Sequence, residues 1–288
     1  MIKYDCHIHA LLDGSDWKAS IARHREKPQE DAVRAALAAW SGRGFRHLRD
    51  GGDRWGVSRL ARELAPQYGI TYLTPLSPLH KKGHYGGFIG TGFDTLPEFA
   101  RLVRQVREDG ADFLKIMVSG LMDFSRFGVL TEEGLEEETV RQMVHIGHEE
   151  GLAVMAHCNG ASTALAAARA GVDSIEHGAY LDREALQAMA EQKVLWVPTV
   201  STVGNLLGKG RFPDEEVEKI LENVQENIRC FVAMGGLLAP GSDAGAWAVP
   251  HGLGGQSEYA WLEKTLGRQA DAVLAKGGEE LFSRFSEN

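Results

Sequence analysis

Six side chains able to bind a cation or move a proton lie in or at the end of short apolar runs. They are His7 and His9 (Cys6-His7-Ile8-His9), Lys115 (Phe113-Leu114-Lys115-Ile116-Met117), His157 (Ala156-His157-Cys158), His177 (Glu176-His177-Gly178) and Asp243 (Ser242-Asp243-Ala244). Residues two apart on a strand share a face, so His7 and His9 aim at one point. Taken singly these residues are commonplace, since a His-x-His pair occurs in many surface strands and an aspartate in a Gly-rich turn is usually a turn former. Taken jointly, imidazoles and a carboxylate at the same end of several strands match the donor set of Zn²⁺, Mn²⁺, Co²⁺ or Ni²⁺, and a reactive ion keeps one position for water. Lys115 adds a puzzle, because a lysine within an apolar run is costly unless paired, neutral or chemically modified.

The elements that must position these residues follow a repeated pattern of apolar run, polar or Gly-rich stretch, and helix. Eight runs read as strands: Ile2–His7, Phe45–Asp50, Ile70–Leu76, Phe113–Ser119, Ala153–Cys158, Ser174–His177, Val194–Thr199 and Leu237–Gly241. Runs apolar on both faces and separated by helices indicate a parallel sheet covered by helices, and eight of them predict a closed α/β (β/α)8 TIM barrel. Helix starts are expected near Pro28, at Thr95 with its capping-box Glu98, at Thr131, at Asp182 and near Asp214. The 288 residues suit one such barrel, 1–288, with a C-terminal helical tail from about 268 to 288 packing on its outside or bottom. Long loops after the third, fourth and seventh runs are where function is expected, because barrels of this kind act through the loops that follow their strands.

The set His7-x-His9, Lys115, His157, His177, Asp243 resembles the ligand set of the amidohydrolase superfamily. Longer segments resemble its prolidase-like and imidazolonepropionase-like branch: FRHLRDGG (45–52), GADFLKIMVSG (110–120), AGVDSIEHG (170–178), Val197-Pro198-Thr199, GSDAG (241–245) and Pro250-His251-Gly252. The resemblance implies that His7, His9 and Asp243 hold one divalent metal and His157 and His177 a second, zinc in the first instance. Lys115 would bridge them as an Nζ-carboxylate formed with CO₂. It further implies hydrolysis by a metal-bound hydroxide, with Asp243 as general base and His177 at the carbonyl-polarising metal. The expected substrate carries an amide-type bond, as in a dipeptide or N-acyl amino acid. Alternatives left open are a lactonase or phosphotriesterase on the same two metals, a mononuclear deaminase or decarboxylase, and a catalytically idle scaffold.

Two departures bear on substrate. Segments that would build the β-sandwich usual in this branch are not recognised before the first run or after the eighth, and the branch's Gly-Gly-His stands here as Lys82-Gly83-His84. His84, Tyr85 and Arg126 are the substrate-contact candidates, Arg126 as a bidentate receiver of a carboxylate. Arg49-Asp50 reads as an internal ion pair. Cys6, Cys158 and Glu176, being neighbours of ligands on their strands, are expected to point away into the helix layer, the cysteines as small core residues and Glu176 as a buried structural partner. His145 and His148, three apart on an outer helix, read as surface residues.

A net charge of −9 argues against nucleic acid or an anionic membrane as partner, since both need clustered Lys and Arg. The expected partner is a small molecule, and a homo-oligomer is compatible with the sequence. No apolar run reaches the roughly 20 residues of a membrane span. The first residues carry no signal-peptide pattern, which predicts a cytoplasmic protein, and three cysteines without CxxC spacing predict reduced thiols.

Overall fold

The computed structural model describes residues 3–286. Its elements are β1 (Lys3–Ile8), α1 (Trp17–His24), α2 (Glu30–Ser41), β2 (Phe45–Asp50), α3 (Val57–Leu64), β3 (Thr71–Leu73), β4 (Leu79–Lys81), β5 (Thr91–Phe93), α4 (Leu96–Glu108) and β6 (Leu114–Met117). There follow α5 (Glu137–Glu149), β7 (Val154–Cys158), α6 (Ala161–Arg169), β8 (Ser174–His177), α7 (Arg183–Glu191), β9 (Leu195–Val197), α8 (Ser201–Gly204), α9 (Asp214–Ala233), β10 (Leu237–Leu238), α10 (Leu253–Leu266) and α11 (Ala270–Ser286). Every strand pairing is parallel, in the ladders β1-β2-β3 and β10-β9-β8-β7-β6-β4-β5. The expected TIM-barrel order is therefore present in β1, β2, β3 and β6–β10, with the ladder interrupted at two seams. Single backbone bonds cross them: Cys6 N–H to Pro240 O (2.8 Å), Asp243 N–H to His7 O (2.7 Å) and His9 N–H to Ala244 O (2.8 Å) on one side, and Asp112 N–H to Thr74 O (3.0 Å) on the other.

Two packed layers follow from strands that are apolar on both faces. Outside, the helices bury one stripe each, as in α9, where Val217, Ile220, Leu221, Val224, Ile228 and Phe231 recur at the helical period. Inside, Cys6, Leu73, Phe113, Met155, Leu195, Val197 and Ala239 fill the lower barrel. Leu281, Phe282 and Phe285 of α11 close it from below, so the tail packs at the bottom. Close approach there requires a glycine: a Cβ on Gly277 would lie 1.8 Å from Leu238 O.

Several local expectations change. The third run is a strand only over Thr71–Leu73, pairing with β2, while β4, in the stretch expected as a loop, pairs with β6. Thr131 caps no helix; its Oγ1 accepts from Leu121 N–H, and α5 starts six residues later. Asp182 does cap α7, accepting from Ala185 N–H at 2.8 Å, and Thr95 caps α4. Cys6 faces the barrel interior instead of the helix layer, because the β1–β2 register shifts between Asp5 and Ile8. Cys158 lies in the outer layer as expected. Of the first expected strand, Ile2 lies outside the described residues.

Candidate metal centre

The carboxyl ends of β1, β6, β7, β8 and the segment after β10 bring all six expected ligands to the floor of one cavity of about 430 Å³. On β1 the two imidazole rings lie with centroids 5.4 Å apart. His177 sits 5.0 Å from His7 and 4.6 Å from His157, centroid to centroid. Asp243 Oδ1 is 3.3 Å from His9 Nε2 and 3.7 Å from His7 Nε2. Ligand atoms of His7, His177 and Asp243 all fall within 4.8 Å of one another.

Backbone conformation, as much as strand alternation, makes this convergence. On β8, Ser174 and Glu176 point inward, so a continuing strand would turn His177 out. Instead His177 adopts φ 68°, in the left-handed region, and its ring comes in; Asp243 does the same at φ 55°. Strain of this kind persists only where the surroundings fix it, and it concentrates at functional sites.

Glu176 therefore does not point into the helix layer. Its Oε2 accepts from His7 Nδ1 at 2.7 Å, while Oε1 takes Arg49 Nη2 at 2.7 Å and the Ser174 hydroxyl at 2.6 Å. A carboxylate on Nδ1 fixes the tautomer, leaving the Nε2 lone pair of His7 for an ion. The expected Arg49–Asp50 pair is not formed: Arg49 pairs with Glu176, and Asp50 accepts from Ala10 N–H (2.8 Å), Gly52 N–H (2.6 Å) and the Tyr72 hydroxyl (2.5 Å). His177 has a matching orienter, Thr199 Oγ1, 2.8 Å from its Nδ1. His251 reaches the His9 carbonyl at 3.1 Å. Gly51 leaves space for the His9 ring, since a Cβ there would stand 2.3 Å from His9 Cε1.

The protonation states leave nitrogen lone pairs free on the floor. Lys115 is 1 % exposed and its Nζ has no hydrogen-bond partner; buried His9 Nδ1 has none either. Burial lowers Lys115 to about 8, and burial with the nearby Lys115 charge lowers His9 and His157 to about 3. His7 and His177 are likewise pushed well below the usual imidazole range, chiefly by burial. Neutral imidazoles beside a carboxylate and an orphaned amine are a donor set that fits divalent metal, the amine as a candidate for conversion to an oxygen ligand.

Of the substrate candidates, Tyr85 lines the cavity with its ring 4.6 Å from His157, and its N–H donates to Glu132 Oε1 at 2.7 Å. His84 and Arg126 are not among the lining residues. His84 faces Glu132 at 3.9 Å, and Arg126 is 71 % exposed and paired with Asp123 at 2.9 Å. His148 is on the surface, 2.8 Å from Asp173. Arg211, Phe212 and Trp247, not singled out from the sequence, line the mouth with Trp17, Phe88 and Phe124.

No family model matches the chain. Among curated proteins it is similar to ochratoxinase of Aspergillus niger, 26 % identical over 238 residues, covering 69 % of this chain and 47 % of that protein. The chain thus spans about half the length of the curated relatives it matches. Solved structures with the same fold include a Xaa-Pro dipeptidase with bound methionine (TM-score 0.77, 22 % identity, 98 % of this chain and 75 % of that one). A putative prolidase from Bifidobacterium longum (0.76, 20 %, 99 % and 70 %) and A. niger ochratoxinase (0.74, 20 %, 95 % and 70 %) are further examples. The chain thus has the fold of these prolidase and ochratoxinase structures and is similar in sequence to ochratoxinase.

Proposed function

We propose that the protein is a metal-dependent hydrolase that cleaves an amide-type C–N bond of a small molecule, such as a dipeptide or N-acyl amino acid. The observation that carries this reading is the meeting of four buried imidazoles, Asp243 and the unpartnered Lys115 amine on the floor of one largely apolar cavity. The names of the similar structures, a Xaa-Pro dipeptidase and a prolidase, point to the same bond.

His7, His9 and Asp243 would hold one divalent ion and His157 and His177 a second, with zinc the first choice for a nitrogen-rich set. Lys115 would supply them an anionic oxygen donor once its neutral amine adds to CO₂, an N–C bond forming as one C–O π bond opens and a proton leaving to solvent. Such ions lower the pKa of water and polarise a carbonyl. Asp243, 16 % exposed and lining the cavity, would take the proton of the attacking water and return it to the leaving nitrogen. Glu176 and Thr199 hold the imidazoles of His7 and His177 on their Nδ1 side. Met117, Leu121 and Phe124 on the cavity wall keep bulk water from the reacting carbonyl.

The test is turnover by metal-loaded protein against dipeptides, N-acyl amino acids, lactones and phosphotriesters, with intact mass read alongside. Amide cleavage with a carboxylated Lys115 and two ions per chain is expected. Turnover confined to lactones or phosphotriesters, or one ion with a bare lysine, overturns the proposal.

A further inference from the structure

Above the metal-ligand floor, the cavity offers almost nothing polar. Its upper wall is Trp17, Phe88, Phe124, Leu206 and Trp247, interrupted by the hydroxyls of Ser15 and Thr202 and by a single cation, Arg211. Arg211 lies on the loop between α8 and α9 and is exposed at the mouth. Its guanidinium carbon sits 4.6 Å from the centroid of Trp247 and 5.5 Å from that of Phe212, so the group lies against aromatic rings. Phe212 in turn packs on Phe124 at 5.3 Å.

What sets Arg211 apart is that its charge is unmatched. Among the described residues it makes no ion pair or hydrogen bond, whereas the acids that follow it are engaged: Asp214 accepts from Gly208 N–H at 2.9 Å, and Glu215 and Glu216 hold Lys219 at 2.9 and 2.7 Å. A guanidinium stacked on an indole loses little freedom on binding and keeps its N–H fork for a planar, bidentate anion. The nearest such groups in small amide substrates are carboxylates.

We propose that Arg211 receives a carboxylate of the substrate, making the substrate class N-acyl amino acids or dipeptides with a free acid at one end and an aromatic or bulky apolar group along the wall. This rests on the amide-hydrolase reading for the bond that is cut, and replaces Arg126, which Asp123 already holds. Arg211 is then a specificity-determining residue: it grips the far end while Trp247 and Phe124 enclose the middle. A cavity of about 430 Å³ takes a molecule of this size.

Equilibrium binding tests the assignment independently of turnover. The probes are 3-phenylpropanoate and 3-phenylpropan-1-ol, which share the ring and differ in the acid and contain no bond for the enzyme to cut. Metal-loaded wild type is expected to bind the acid at least tenfold tighter than the alcohol. Arg211→Met should reduce that preference tenfold or more, Arg211→Lys should keep part of it, and Arg126→Met should leave it as in wild type. A carboxylate that binds the ions instead would bind Arg211→Met as tightly as wild type, and that result overturns the proposal, as does an equal loss for acid and alcohol. Absence of amide turnover in wild type would count against the proposed function alone, since the binding ratio is decided without it.

Discussion

At the scale of single residues, the candidate metal floor is held by groups that never touch it from the cavity side. Glu176 joins His7 Nδ1 to Arg49 Nη2, both at 2.7 Å, and all three are buried. Replacing it by glutamine keeps the shape but removes the charge that balances Arg49 and allows the amide to present its NH₂ to either neighbour. Loss of an orienting partner of this kind costs about 10–100-fold in metal affinity. Glu176→Gln should therefore bind Zn²⁺ at least tenfold more weakly in competition with a chromophoric chelator while remaining folded by circular dichroism; unchanged affinity would show that His7 needs no orienter. The convergence of the six candidate ligands on one cavity was legible in the sequence, because imidazole, amine and carboxylate are conspicuous at the ends of apolar runs. Glu176 was legible as a buried structural partner but not as the orienter of His7, because strand alternation counted back from His177 puts it on the wrong face. The turn of His177 to φ 68°, which brings neighbouring residues to one side, has no signature in residue type beyond the following Gly178.

One element, α11, acts on the site from the opposite end of the barrel. Phe285 packs against Phe113 at 5.3 Å and under the Arg49 guanidinium at 4.5 Å, completing a column from tail through Arg49 and Glu176 to His7. Truncating a fully buried phenylalanine removes about 3–5 kcal/mol, by lost transfer energy and the cavity left behind. Phe285→Ala should lower the unfolding free energy by that amount, read as a fall in the urea midpoint at an unchanged slope. Because Arg49 loses the ring beneath it, the variant should also bind metal more weakly than an equally destabilised change in the outer layer, such as Ile220→Ala in α9. Equal metal affinity in the two variants would reduce α11 to a stopper. The helical tail was readable from its apolar spacing, and its place at the bottom was one of two options. The end of the third strand at Leu73 and the strand within the following loop were not readable, because Thr71–Leu73 and Leu79–Lys81 are only three residues each and too short to show a period.

For the whole molecule, protons decide when the site can hold metal. In the metal-free protein the lowered imidazoles of His7, His9, His157 and His177 contribute stability that is present above pH 6.5 and lost as pH falls toward their folded values, about 3 for His9 and His157. Burial raises Asp50, Asp243 and Glu258 to about 7 and Asp5 well above its ordinary value; their contribution has the opposite sign, present at low pH and lost as pH rises toward 7. Between pH 4.5 and 6.5 the two sets oppose, so the thermal midpoint of the chelated protein should vary little. Metal binding breaks the balance. The imidazoles are already neutral above pH 5 and release nothing, whereas Asp243 must lose a proton below about 7 and Lys115 one below about 8 before it can become a carbamate. Because Lys115 gives up one proton as an ammonium and a second on forming the carbamate, Zn²⁺ affinity at fixed dissolved CO₂ should climb up to about a thousandfold per pH unit below 7, about a hundredfold per unit between 7 and 8, and about tenfold per unit above, one proton being worth a factor of ten per unit. Chelator competition from pH 5.5 to 9 measures this profile; a single break near 6.5 would instead make the imidazoles the controlling groups and return Asp243 and Lys115 to ordinary, solvated behaviour.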